Sequence, residues 1–395
     1  MSIIRKKVFV GMSGGVDSSV AALLLKEQGF DVTGVFMRCY NLDGCAERDA
    51  EDARRVANAL GIPFYTFDFE KEYKAKVVEY MIAGYKSGIT PNPDVMCNRE
   101  IKFGLFLAKA LEMGAEYVAT GHYVRRESRI VNRVSKDRKV NDADMRYALC
   151  AARDANKDQS YFLWTLTQKE LAHCLFPVGD LLKPEVRDIA RKAGLPTAEK
   201  KDSQGICFIG DVNVFDFLAQ HIKEKPGDIV NTDGKKVGEH RGVWFYTIGQ
   251  RHGLDIGESG KMLKRHGDHA TTPFYVAAKD VQKNMLVVAE GDENQALFRK
   301  EVTLSDVSFI DPTICDTRCA IRVRARVRYR QPLAEAVLEP STGNTSTWKL
   351  IFEKPQKFVA PGQSAVFYRA SDNPEPVEGL PTELEMLGGG IIAEY

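Results

Sequence analysis

The stretch Gly11-Met12-Ser13-Gly14-Gly15-Val16-Asp17-Ser18-Ser19 holds the residue types of a phosphate site. It follows the apolar run Val8-Phe9-Val10 and opens a helical pattern from Val20 to Gln28. A strand that ends in a glycine-rich turn at a helix start points free N–H groups at one spot, where the helix dipole favours an anion. Gly14 and Gly15 let the backbone turn tightly and approach a ligand. Ser13, Ser18 and Ser19 add hydroxyls, and Asp17 could hold Mg²⁺ against the phosphates. No Lys precedes the serine pair, so this is not a G-x-x-x-x-G-K-[ST] loop, and G-x-G-x-x-G is absent.

Two further stretches carry nucleophiles. In Asn92-Pro93-Asp94-Val95-Met96-Cys97-Asn98, the prolines at 91 and 93 stiffen a loop and Asn98 can cap the helix that follows. Cys97 then lies near a helix N-terminus, which favours the thiolate. Asp94 is close enough to handle a proton or bind a substrate group. In Lys201-Asp202-Ser203-Gln204-Gly205-Ile206-Cys207-Phe208-Ile209-Gly210, two glycines bracket a second cysteine. Taken singly, each cysteine reads equally as a packed structural thiol.

The elements that must position these groups alternate strand and helix. Strands are expected at Val8–Val10, Val32–Met37, Phe64–Phe67 and Tyr117–Thr120, and helices at Val20–Gln28, Ala46–Leu60, Lys71–Lys86 and Ile101–Met113. This order predicts an α/β fold whose first part is a doubly wound, mainly parallel sheet with ligands at the strands' carboxyl ends. The phosphate loop, Met37 and Gly121-His122 all fall there. Residues 125–146 read as a charged loop or hairpin, with helical patterns resuming at Gln168–His173 and Pro184–Ala193. Past residue 210 the texture changes. A short helix at Phe215–Ile222 precedes short strands at Asp228–Asn231, Val243–Ile248, Phe274–Ala278 and Met285–Val288. The β-rich runs beyond 297 include Glu335–Leu338, Thr347–Phe352 and Ser364–Tyr368, and predict a barrel. Three parts are expected: 1–210, a small central module at 211–296, and a C-terminal β-barrel at 297–395, with the tail after Asp372 peripheral.

Composition excludes little beyond membrane spans. At 395 residues, 44% hydrophobic and 28% charged, the chain is an ordinary globular one. No apolar run is long enough to cross a bilayer, and the first strand begins within ten residues of Met1, so a cytoplasmic protein is expected. A net charge of +1 means that any nucleic-acid face must be local. The eight cysteines include no C-x-x-C; the Cys39/Cys45 and Cys315/Cys319 spacings do not suit zinc, and His266 and His269 have no cysteine nearby, so no resident metal site is expected.

The first stretch resembles the S-G-G-x-D-S-[ST] motif of the ATP pyrophosphatase (PP-loop) family, which splits ATP between its α- and β-phosphates. Taken with N-P-D-x-x-C-N, the later G-I-C-F-I-G, Gly121-His122-Tyr123, Lys157-Asp158-Gln159-Ser160-Tyr161-Phe162-Leu163, Tyr246-Thr247-Ile248-Gly249-Gln250-Arg251 and Pro361-Gly362-Gln363-Ser364-Ala365-Val366-Phe367-Tyr368, the chain resembles the tRNA-specific 2-thiouridylase family along nearly its whole length. The resemblance implies an adenine nucleotide alpha hydrolase-like first domain. It implies ATP-dependent activation of the C2 oxygen of a wobble uridine, with sulfur from a protein persulfide then displacing AMP. By motif, Cys97 would be the nucleophile, Cys207 the persulfide carrier and Asp94 the acid/base. Gly11, Met12, Ser13, Gly14, Gly15, Val16, Asp17, Ser18, Met37 and Gly121 would contact ATP. Asn92, Pro93 and Asp94 would meet the target base, and Lys157, Asp158, Gln159, Arg328, Tyr329, Arg330 and Gln363 the tRNA. His122 could touch RNA or ATP, or serve as a hydrogen-bonded structural residue. Expected partners are tRNA, with Lys, Glu and Gln isoacceptors indicated, and a sulfur donor such as a cysteine desulfurase or a relay protein.

Composition adds a basic strand. Ile321-Arg322-Val323-Arg324-Ala325-Arg326-Val327-Arg328-Tyr329-Arg330 alternates without a break, which in a strand puts every arginine on one face. RNA phosphate is the favoured partner, and neutralisation by Glu335 or Glu339 the alternative. Two rival functions remain: a PP-loop ligase of the argininosuccinate synthetase kind, which needs neither cysteine, and a non-catalytic RNA-binding protein.

Overall fold

The computed structural model describes residues 5–40, 44–130, 145–202, 213–256, 272–316, 319–341, 347–370 and 384–393. The first sheet takes β1 (Lys7–Gly11), β2 (Asp31–Arg38), β3 (Phe64–Asp68), β4 (Tyr117–Ala119) and β7 (Cys174–Leu175) in the order β3-β2-β1-β4-β7, every pair parallel. Val32 to Met37 are all buried, as expected of a strand covered on both faces. Helices α1 (Val16–Glu27) and α2 (Cys45–Leu60) and the helix Lys183–Lys192 supply side chains to one core cluster. The helical runs 70–86 and 93–112 supply another, which includes Tyr73, Met81, Ile101 and Phe106. Strand order reverses between β1 and β4, so the loops after these two strands face each other across a ligand crevice.

The charged segment is a hairpin, β5 (Val124–Ile130) with β6 (Met145–Ala151), whose connection lies outside the described residues. A second sheet takes β8 (Gly227–Asn231), β9 (Lys236–His240), β10 (Asp255–Ile256), β11 (Phe274–Asp280) and β12 (Met285–Glu290) in the order β10-β9-β8-β12-β11. The barrel runs β13 (Phe298–Phe309), β16 (Trp348–Lys357), β15 (Ala334–Pro340), β14 (Ile321–Arg326), β17 (Ser364–Arg369), β18 (Glu385–Ile392), and closes by pairing β18 with β13. β6 then joins β18, so a hairpin from the chain's first half extends the barrel's last strand. Among the described residues no helix is long and apolar enough to cross a membrane.

Four expectations need correcting. The described part of the tail, 384–393, is not peripheral: Gly388-Gly389-Gly390 lie in the barrel's closing strand, where a Cβ at Gly389 would sit 2.6 Å from Trp164 Cγ. These glycines are required by close approach rather than by a turn. Val243–Ile248 is not a strand but a 3₁₀ turn over Val243–Phe245 and a loop. Side chains satisfy its backbone in place of a neighbouring strand: Gly242 N–H donates to His240 Nδ1, Val243 N–H to Asn284 Oδ1 and Thr247 N–H to Gln250 Oε1. The arginine strand ends at Arg326, and residues 327–330 turn, with Arg330 in the left-handed region at φ 63°. Finally, the helix that carries Cys97 starts at Pro93, not Ile101.

Candidate active site

The loop between β1 and α1 is a tight glycine turn that runs straight into the helix. Gly14 has φ 73°, and a Cβ there would collide with the Asp49 carbonyl oxygen. Gly15 is the N-cap of α1 and offers no side-chain cap, so no side chain competes with a ligand for the helix's first N–H groups. Ser18 Oγ accepts from Ser13 N–H at 3.2 Å and donates to Gly15 O at 3.2 Å. Ser19 is fully buried and donates to Gly15 O at 2.8 Å. A Cβ at Gly121 would stand 2.6 Å from Ser18 N, so the end of β4 abuts the first turn of α1. A Cβ at Gly11 would meet Met37 Cε at 3.0 Å and Phe106 Cε1 at 3.6 Å. The side chains of Met12 and Val16 are buried, which leaves their main chains to face a ligand.

Asp17 is held by groups that sequence reading missed. Tyr123 OH donates to Asp17 Oδ1 at 2.9 Å, and Lys183 Nζ to Oδ1 and Oδ2 at 2.7 and 2.9 Å. Lys183 also pairs with Asp202, which Lys157 and Arg187 contact as well. Burial disfavours the Asp202 carboxylate, but hydrogen bonds from Lys157 and Lys183 outweigh it and hold the pKa at about 2. Burial and the Asp17 carboxylate push the Tyr123 hydroxyl well up, so it stays a donor. One readable signal did exist: Lys183 opens a helix, where the dipole disfavours a cation unless an anion offsets it.

Asn92, not Asn98, caps the second site helix: Asn92 Oδ1 accepts from Val95 N–H at 3.3 Å, and Pro93 follows it in the first turn. Asp94 lies in that turn, and Cys97 begins a π-helical stretch, 97–106. Cys97 is fully buried and shares a core cluster with Met37 and Phe106. Asn98 Nδ2 instead donates to Phe162 O at 3.0 Å. Cys207 lies outside the described residues; Asp202 is the last described residue before it.

Most of the remaining expected residues are engaged within the protein. His122 is buried, with Nδ1 2.7 Å from Thr120 Oγ1 and Nε2 3.4 Å from Lys102 Nζ. Burial and the Lys102 charge hold its pKa well below the usual value, so it is neutral. Asp158 is buried and accepts from Ala152 N–H, Ser160 N–H and Ser160 Oγ. Gln159 Oε1 accepts from Tyr123 N–H. Arg328 donates to Ile248 O at 2.7 Å, Tyr329 packs on Phe162 with ring centroids 4.6 Å apart, and Gln363 donates to Thr90 O at 2.9 Å. Arg324 meets Glu335 at 3.4 Å across two strands, whereas Arg322 and Arg330 are exposed. Arg328, Tyr329, Arg330, Lys357 and Phe358 border a basic and aromatic cleft of about 640 Å³.

Three family models match in series: the tRNA methyl transferase HUP domain over 6–211, the tRNA methyl transferase PRC-barrel domain over 215–290, and the aminomethyltransferase beta-barrel domain over 299–392. The tRNA-specific 2-thiouridylase MnmA of Bacillus licheniformis is 45% identical over 391 residues, covering 98% of this chain and 94% of that protein. Its namesake from Pseudomonas aeruginosa strain PAO1 is 47% identical over 393 residues, with the same coverage. The chain belongs to the tRNA-specific 2-thiouridylase family. Among solved structures, a 4-thiouridine synthetase–RNA complex with bound ATP is 17% identical with a TM-score of 0.31, covering 55% of this chain and 50% of that one.

For this 2-thiouridylase family chain, the cradle suits a nucleotide. A glycine-lined turn, an uncapped helix start and the Gly11–Met37–Phe106 wall lie at the strand ends where α/β sheets bind such ligands. A Mg²⁺ ion would find a single carboxylate in the loop, Asp17, already paired with Lys183. That suits an ion held mainly by phosphate oxygens and water.

Proposed function

We propose that this protein carries out ATP-dependent 2-thiolation of the wobble uridine of tRNA. One observation carries the reading beyond family membership. Phe106, which walls the phosphate loop at Gly11, belongs to the same helical run as Asp94 and Cys97, so nucleotide cradle and nucleophile share one rigid element.

The uridine C2 oxygen takes the adenylyl group from the ATP α-phosphate, pyrophosphate leaves, and the C2 oxygen becomes part of a good leaving group, AMP; Mg²⁺, held by Asp17 and the phosphates, would screen the phosphate charge. The N–H groups at the start of α1 hold phosphate, Gly121 keeps the crevice narrow, and Met37 packs beside the nucleotide. Asn92 and Pro93 set the first turn of the site helix, and Asp94 moves a proton at the base. Cys207 carries the incoming sulfur as a persulfide. In one order, its outer sulfur attacks C2 and AMP leaves. Cys97 thiolate then attacks Cys207 Sγ, breaking the S–S bond and releasing 2-thiouridine. In the other, Cys97 attacks Cys207 Sγ first and frees hydrosulfide, which displaces AMP. Both orders leave a Cys97–Cys207 disulfide that a thiol reductant must open before reloading.

The tRNA is held by residues of all three parts, 1–210, 211–296 and 297–395. Arg322, Arg330 and the cleft beside Tyr329 supply charge and stacking surface. Lys157, Asp158 and Gln159 act through the main chain or by bracing Tyr123, because their side chains are paired internally. A cysteine desulfurase or relay protein loads Cys207.

The test is mass spectrometry of wobble nucleosides after incubating unmodified tRNA with the protein, ATP, Mg²⁺ and a persulfide donor. A gain of one sulfur in place of one oxygen is expected, and its loss in Cys97→Ser and in Cys207→Ser. Thiolation that survives in either variant overturns the role given to that cysteine. No thiolation by wild type, with tRNA and ATP both bound, overturns the reaction.

A further inference from the structure

Residues 87–92 join the helical runs 70–86 and 93–112, and the last three of them, Thr90, Pro91 and Asn92, are buried. A buried loop must find partners for its main chain. Here they come from the barrel: Thr90 N–H donates to Pro361 O at 2.8 Å, and Gln363 Nε2 donates to Thr90 O at 2.9 Å. Gly362 lies between them with φ 88°, and a Cβ there would stand 2.9 Å from the Thr90 carbonyl carbon. Support from the other side comes from the central part, where Thr90 Oγ1 donates to Thr247 Oγ1 at 3.3 Å. Pro91 packs against Gly84, where a Cβ would be 2.8 Å from Pro91 Cγ. The central segment is tied to the barrel in turn by Arg328 and Ile248 O. Two regions distant in sequence, the barrel turn at Gly362 and the central segment at Thr247, therefore close on Thr90, two residues before Asn92.

We propose that Gln363 and Thr247 are positioning residues: they grip Thr90 from the barrel and from the central part, and so hold Asn92 to Cys97 in working register. Gln363 then acts on catalysis through the loop, not only by touching RNA. The inference rests on the reading of Asp94 and Cys97 given above. A displacement of about 1 Å at such a loop is enough to cost about 100-fold in turnover.

Gln363→Glu tests this with little change of shape, since it replaces the donor to Thr90 O with a carboxylate that repels it. Expected for Q363E are a kcat lowered about 100-fold and about tenfold faster iodoacetamide labelling of Cys97 in the RNA-free protein, read on its peptide by mass spectrometry. Thr247→Val should move the same readouts in the same direction, with Thr247→Ser recovering most of the loss. If Q363E fails to bind ATP, T247V carries the test, because it releases Thr90 from the other side. A raised tRNA Kd with kcat and labelling unchanged would overturn the proposal and leave Gln363 as an RNA contact alone. Should wild type not thiolate tRNA, the labelling arm still decides: faster labelling sustains the grip on the loop, and an unchanged rate removes it.

Discussion

The ammonium of Lys183 lies 2.7 Å from Asp17 Oδ1 and 2.9 Å from Oδ2, joining a helix start to the phosphate loop across 166 residues of sequence. The same ammonium is 2.9 Å from Asp202 Oδ1. One cation thus links the loop that would hold ATP to the last described residue before the Cys207 segment. Lys183→Met leaves two carboxylates facing each other. It should cost about 2 kcal/mol of stability, a moderate figure because Asp17 is partly exposed, and should weaken ATP binding. Thermal denaturation with and without ATP checks both. An unchanged melting temperature would mean the pair is an idle surface contact.

Asp202 gives the protein an acid-sensitive component. Burial works against its charge, yet Lys157 and Lys183 hold the folded pKa near 2, below the ordinary 3.8. A depressed carboxylate pKa adds stability that is fully present above about pH 4 and lost as pH falls toward 2. Asp202→Asn should therefore be less stable than wild type at pH 5, with the gap closing as pH falls through that window. A gap independent of pH would show that Asp202 contributes by shape alone.

Gly389→Ala probes the closing strand of the barrel. The added methyl would sit 2.6 Å from Trp164 Cγ, and Trp164 is fixed by its Nε1 donating to Ser364 Oγ at 3.0 Å. Overpacking at a site that cannot shift costs about 2–3 kcal/mol. Urea unfolding measures it; a change within about 0.5 kcal/mol would show that the strand has room to move.

Arg322 and Arg330 are the exposed members of the arginine stripe. Charge reversal at both should weaken tRNA binding across sequences and flatten the log–log salt dependence by about two units of slope. An unchanged slope would place the RNA elsewhere. Arg328 is a poorer probe of charge, because its guanidinium also holds Ile248 O.

Local patterns proved the readable ones. β1, the turn at Gly14 and α1 are contiguous, and their signal is strand, glycine and helix in one stretch. The Cys97 helix was misplaced at its start. Asn98 has the right type for a cap, but Pro93 suits a helix's first turn and makes Asn92 the cap. The arginine stripe alternates as a strand through Arg326, but neither the turn after it nor the Glu335 partner of Arg324 shows in its own residues. Gly388 to Gly390 look like breakers in any window of sequence, because the groups that demand them, Trp164 and Ser308, are far away along the chain.

The sequence by itself determined the parallel α/β sheet, the glycine turn into α1, the chemistry-bearing residue types and the family, because each rests on local periodicity or on motifs in order. Only the tertiary structure decided that Lys183 neutralises Asp17, that His122 is neutral, that Asp158 is buried, and that Gln363 and Thr247 close on Thr90. Charge pairing, desolvation and the satisfaction of buried main chain depend on which residues meet in space, and here those residues lie 100 or more positions apart in several cases.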